Sequence, residues 1–149
     1  MSCLGDETAR HRNSAIKGLT LYPFKGKGQV AARIVDLQQG VALLKESMGS
    51  LVEATRDVRH RTFALGIVQS NGADKLLWRL GTVKNGPRRT FLDAHIQEVL
   101  VLMPKAMRDW YIDVNQQALV LNMQALNIRR EIKLLERLLL QLSKYSNGH

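Results

Sequence analysis

Val30–Leu65 reads VAARIVDLQQGVALLKESMGSLVEATRDVRHRTFAL. Within it Val30, Ile34, Leu37, Val41, Leu44, Met48, Leu51, Thr55, Val58, Thr62 and Leu65 recur alternately four and three residues apart, the repeat of a helix that turns one narrow seam to a partner. The spacing predicts a helix from near Gln29 to a point between Leu65 and Ser70. Gly40 and Gly49 fall inside it, each costing up to ~1 kcal/mol against alanine, and mark places for a kink, a break or a close crossing. Its outward positions hold Glu53 with Arg56 and Asp57 with Arg61, spaced to pair along a solvated helix face.

A second pillar is expected from about Lys105 to Lys144. Met107, Trp110, Val114, Ala118, Leu121, Ala125, Ile128, Ile132, Leu135, Leu139 and Leu142 fall on one face of it, again at threes and fours. Roughly opposite lie Leu119, Met123 and Leu126, a line that continues into Arg130, Lys133, Arg137 and Lys144. The helix is thus apolar on two sides in its first half, and apolar against basic in its second.

Between the pillars, Ser70-Asn71-Gly72 signals a turn, and a short amphipathic helix with Leu76, Leu77, Trp78 and Leu80 is expected from Ala73. Thr90, with Asp93 three residues on, resembles a capping box opening a helix through Ile96, Val99, Leu100 and Met103. Pro104 is expected to start a new helix rather than to kink a continuous one. The fold class that follows is all-α: two long heptad-patterned helices in an antiparallel hairpin, with two shorter helices packed on it. Residues 1–28, with their glycines, Pro23 and lysines, are expected to be a basic mobile arm, and 29–149 a single helical domain. A helix-turn-helix over 62–80 would fit the same turn signal.

Charge gives the chain its other signature. The net charge is +9, and residues 75–89 hold five bases and no acid: Lys75, Arg79, Lys84, Arg88 and Arg89. A basic surplus gathered in a block is the footprint of a surface that meets phosphate, or an acidic protein. Lys25 and Lys27, beside Tyr22 and Phe24, interleave bases with aromatic rings in the manner of single-strand binders. Arg130, Lys133 and Arg137 add a further basic line on the last helix.

Other classes of chemistry are poorly provided for. The single cysteine, Cys3, allows no disulfide framework or thiolate cluster within one chain. The four histidines are scattered, none at metal-ligand spacing, and no cofactor, metal or catalytic constellation is expected. Phe24-Lys25-Gly26-Lys27-Gly28 has the composition of a phosphate loop but not its spacing. No apolar run approaches the ~18 residues that span a bilayer, and no secretory h-region is seen, so a soluble intracellular protein, cytoplasmic or nucleoid or nuclear, is expected.

Two functions from different classes fit these residues. In the first, a non-enzymatic small helical subunit self-associates or docks in a larger assembly, and contacts nucleic-acid phosphates through Lys75, Arg79, Lys84, Arg88 and Arg89, supported by Lys25, Lys27, Arg130, Lys133 and Arg137. In the second, a protein-only coiled-coil adaptor, scaffold or chaperone grips a partner helix or an acidic surface, with Leu119, Met123 and Leu126 as anchor. A homo-oligomer or a helical protein partner suits either. Docking on an anionic membrane through the last helix fits less well, because its apolar pattern is too long and too two-sided for a surface helix.

Overall fold

The computed structural model describes residues 26–59, 61–80 and 87–147. Its elements are α1 (Lys27–Arg56), β1 (Phe63–Ser70), β2 (Ala73–Leu80), β3 (Arg88–Arg89), α2 (Ala94–Val101) and α3 (Lys105–Asn147). The three strands form one antiparallel sheet in the order β1-β2-β3.

The sheet overturns the all-α, coiled-coil expectation. Helix α1 stops at Arg56, where Arg61 Nη1 donates to the Arg56 carbonyl. The threes-and-fours count runs on through Val58, Thr62 and Leu65, but there the physical period has changed to two. Phe63, Leu65 and Ile67 alternate with Ala64, Gly66 and Val68, in a segment whose glycine and β-branched residues favour a strand over a helix. Residues 73–80 are likewise a strand rather than a short helix, which removes the helix-turn-helix as well. Asn71 and Gly72 both have positive φ, 53° and 78°. They form the two-residue hairpin loop that matches strand twist, and Asn-Gly is its preferred sequence.

Helix α2 also starts later than expected. Its N-cap is Asp93, not Thr90: the Asp93 side chain accepts from the His95 amide at 2.9 Å. Pro104 does separate two helices, its carbonyl accepting from the Arg108 amide at 3.0 Å at the start of α3.

Two compact units divide the chain, Met1–Leu37 with Ile132–His149, and Gln38–Glu131. In the first, Val30, Ile34 and Leu37 of α1 and Ile132 and Leu135 of α3 are buried, five positions of the predicted seams. The second holds the main core. Met48 and Val52 of α1 and Tyr111, Val114, Ala118 and Ala125 of α3 pack with Phe63, Leu65, Leu76, Trp78, Phe91, Ile96 and Leu100. At its centre Trp78 meets Phe63 edge-on with ring centroids 5.2 Å apart, while Tyr111 lies 4.5 Å from Phe63. Edge-to-face pairs of this kind add to the area term of burial.

Each edge of the sheet receives hydrogen bonds from helix side chains. On the β1 side, the wholly buried Thr55 accepts from the Leu65 amide at 3.0 Å and donates to the Val52 carbonyl at 2.8 Å. On the other side β3, among the described residues, pairs with Trp78 and Arg79. Leu76, beyond its reach, is held by Asn122, which accepts from its amide at 2.7 Å and donates to its carbonyl at 3.0 Å. Asn115 accepts from Trp78 Nε1 at 3.0 Å, and Arg129 Nε donates to the Gly72 carbonyl of the turn. Asn115, Asn122 and Arg129 are seven residues apart, so one face of α3 addresses the hairpin at three heights.

Candidate nucleic-acid interface

Because the sheet alternates, its two faces differ in chemistry. Phe63, Leu65, Ile67, Leu76, Trp78 and Leu80 belong to the helix-facing side and to the core or its margin. The outer side carries Ala64, Gly66 and Val68 from β1 and Lys75, Leu77 and Arg79 from β2, joined by Arg88 through its register pairing with Arg79. No carboxylate stands among these strand positions.

Lys75, Arg79 and Arg88 therefore share one face, and Arg79 and Arg88 are neighbours on it. Lys75 and Arg88 are exposed and Arg79 half-buried. A spacing of four puts Lys75 and Arg79 on one side of a strand as it would of a helix, but on the strand they stand roughly 13 Å apart rather than one helical turn. Although Arg88 is exposed overall, its guanidinium loses water where it rests on Gly66, which lowers its pKa, and the charges of Arg79 and Arg56 lower it further. Burial disfavours the charged form, and like charges add to that.

Arg89 is taken out of the group by the same alternation. As the partner of Trp78 it turns to the helix side, where its Nη1 lies 3.0 Å from Asp93 Oδ2. The backbone hydrogen bond from His95 holds the Asp93 pKa below the ordinary carboxylate value, burial opposes this, and Arg89 adds to the lowering. Arg89 thus joins β3 to the first turn of α2.

Lys25 and Lys84 lie outside the described residues. Lys27 is the first residue of α1 and half-buried, and Arg130, Lys133 and Arg137 are exposed on α3. Lys27, Lys133 and Arg137 belong to the other compact unit. Of the apolar candidates on α3, Leu119 and Met123 are 58% and 57% exposed, with Val120 beside them at 49%, and Leu126 is half-buried.

Sequence reasoning missed Gly66, the residue that shapes the outer face, and Arg56, whose charge reaches Arg88. Gly66 could have been found from its central place in an alternating run ahead of Asn-Gly. Among the described residues no group of three or more His, Cys, Asp or Glu is placed to hold a metal ion, and no helix is long and apolar enough to cross a membrane. A cavity of about 150 Å³ under the hairpin turn has Lys45, Asp74 and Arg129 at its wall, but Asp74 already accepts from Gln69 and Arg129 already donates to Gly72. No family model, curated protein or solved structure matches this chain.

Proposed function

We propose that the protein is a non-enzymatic subunit that contacts nucleic-acid phosphates through the outer face of its sheet. The observation that carries this reading is the placing of Lys75 and the adjacent pair Arg79 and Arg88 on one sheet face whose strand positions hold no acid. Contacts from such residues go to phosphates, so they give affinity and position with little reading of sequence. Arg130 lends a further exposed cation on α3.

Fluorescence anisotropy with labelled single-stranded and duplex oligonucleotides of mixed sequence tests it. Binding is expected to fall linearly on a log–log plot against salt, with a slope of about −0.7 to −0.9 per phosphate neutralised. Lys75→Glu with Arg88→Glu is expected to weaken all sequences alike. Binding that ignores both salt and the charge reversal would refute the reading.

A second reading is favoured by the exposure of Leu119, Val120 and Met123 on one stretch of α3. Here α3 grips a protein partner or a second copy of the chain. Replacing Leu119 and Met123 by serine is then expected to abolish association, measured by sedimentation, and to leave the helical circular dichroism intact.

A further inference from the structure

The outer face of the sheet has one position where β1 offers no side chain. Gly66 sits in mid-strand opposite Leu77, and it is nevertheless buried. Arginine covers it. A Cβ built on Gly66 would overlap Arg88 Nη1, and would lie 3.4 Å from Arg88 Cζ and 3.9 Å from Arg79 Nη2. Two guanidinium groups from neighbouring strands therefore meet over a single backbone position.

Among the described residues Arg88 forms no ion pair, while Arg56 is paired with Glu53 at 3.2 Å and Arg89 with Asp93. Arg79 and Arg88 are direct cross-strand partners, an arrangement in which like charges oppose folding. The cost is already present in the free protein. An anion placed between the two groups would remove it, and no side chain would have to be gathered from solvent for the purpose.

The geometry points to a discrete phosphate cradle: one phosphate group, of a nucleic-acid backbone on the reading above, lies against the guanidinium groups that cover Gly66 and accepts N–H bonds from Arg79 and Arg88 together. The proposal rests on that reading and makes it local. Guanidinium forks suit the oxygens of a tetrahedral phosphate, which a lysine ammonium meets only as a point charge. A glycine floor is what lets the forks and the anion lie close to the strand.

Isotope-labelled full-length protein, titrated with inorganic phosphate against sodium chloride of matched ionic strength, tests the cradle by NMR. Saturable shifts are expected at the Gly66 amide and the Nε–H signals of Arg79 and Arg88. Arg88→Met is expected to weaken phosphate binding roughly tenfold or more, the loss of a charge-assisted hydrogen-bonding group. Gly66→Ala should do the same by displacing the Arg88 fork. Should Gly66→Ala fail to fold, Arg88→Met decides the matter, since its side chain is exposed. Shifts that grow without saturating and spread equally over Lys75 and the other cations, or that survive Arg88→Met unchanged, overturn the cradle.

The same variant, measured by anisotropy against a labelled oligonucleotide, separates the two readings. Oligonucleotide binding that keeps its affinity and salt slope in Arg88→Met overturns the cradle and leaves the nucleic-acid reading standing. Local, saturable phosphate binding with no oligonucleotide binding upholds the cradle and overturns the nucleic-acid reading.

Discussion

Asn122 holds Leu76 by both of its backbone groups, accepting from the amide at 2.7 Å and donating to the carbonyl at 3.0 Å. A side-chain amide on α3 thereby supplies the two bonds that a neighbouring strand would otherwise make. Replacing it by alanine leaves a partly buried donor and acceptor without partners, a change that costs about 1–3 kcal/mol. Urea unfolding of Asn122→Ala is expected to show that loss, with faster hydrogen exchange at the Leu76 amide. Light scattering should rise as well, because an unpaired strand edge is a template for association.

Thr55 performs the corresponding task on the β1 edge. Thr55→Val keeps the shape and removes the acceptor of the Leu65 amide, and about 1–3 kcal/mol of stability should go with it. The decisive measurement is exchange at Leu65. It should accelerate in Thr55→Val and stay protected in Thr55→Ser, which retains the oxygen.

Gly49 and Gly66 should answer differently to alanine. A Cβ on Gly49 meets nothing within 4 Å, and α1 passes through that residue unbroken. Gly49→Ala is expected to raise stability by up to about 1 kcal/mol, since glycine in a helix interior loses more chain entropy. Gly66→Ala makes the flexible end of the Arg88 side chain give way, which offsets the gain in chain entropy, so the melting temperature should stay near that of the parent protein.

Asp93 sets an acid limb on stability. Its pKa is lowered in the folded protein, chiefly by the His95 amide and then by Arg89. A carboxylate with a depressed folded pKa contributes stability that is complete above its unfolded value and disappears as pH falls through the folded one. Melting temperature followed downward from neutral pH should therefore drop in this acid range. The drop should be shallower in Asp93→Asn, which keeps the capping oxygen, while Asp93→Ala should be less stable throughout.

The two long helices could be read from the sequence because apolar residues at threes and fours do turn inward from Val30 to Thr55 and from Val114 to Leu135. The strand at Phe63–Ser70 was hidden by the same arithmetic. Thr62 and Leu65 prolong the count by coincidence, and a seam two repeats long does not distinguish a period of 3.5 from one of two. Asn71-Gly72 between two alternating runs carried the contrary signal, and it outweighs the heptad there because both residues take the positive φ that a tight hairpin needs. As for the site, a spacing of four kept Lys75 and Arg79 on one side of either scaffold. Neighbours such as Arg88 and Arg89 looked equivalent, and only strand pairing sends one to the outer face and the other to Asp93. The convergence of Arg79 and Arg88 over Gly66 depends on register, which a single sequence does not display.

The helix side chains that bond the two sheet edges also differ in when they become available. Thr55 precedes the hairpin in the chain, so the β1 edge can close as soon as its strand is made. Asn122 follows Leu76 by 46 residues, and at a synthesis rate of ~5–20 residues per second the second edge waits roughly 2–9 s for its cover. A nascent hairpin in that interval is half-finished on one side only. Its β2 edge is where a chaperone, or a second nascent chain, would find a free row of peptide groups.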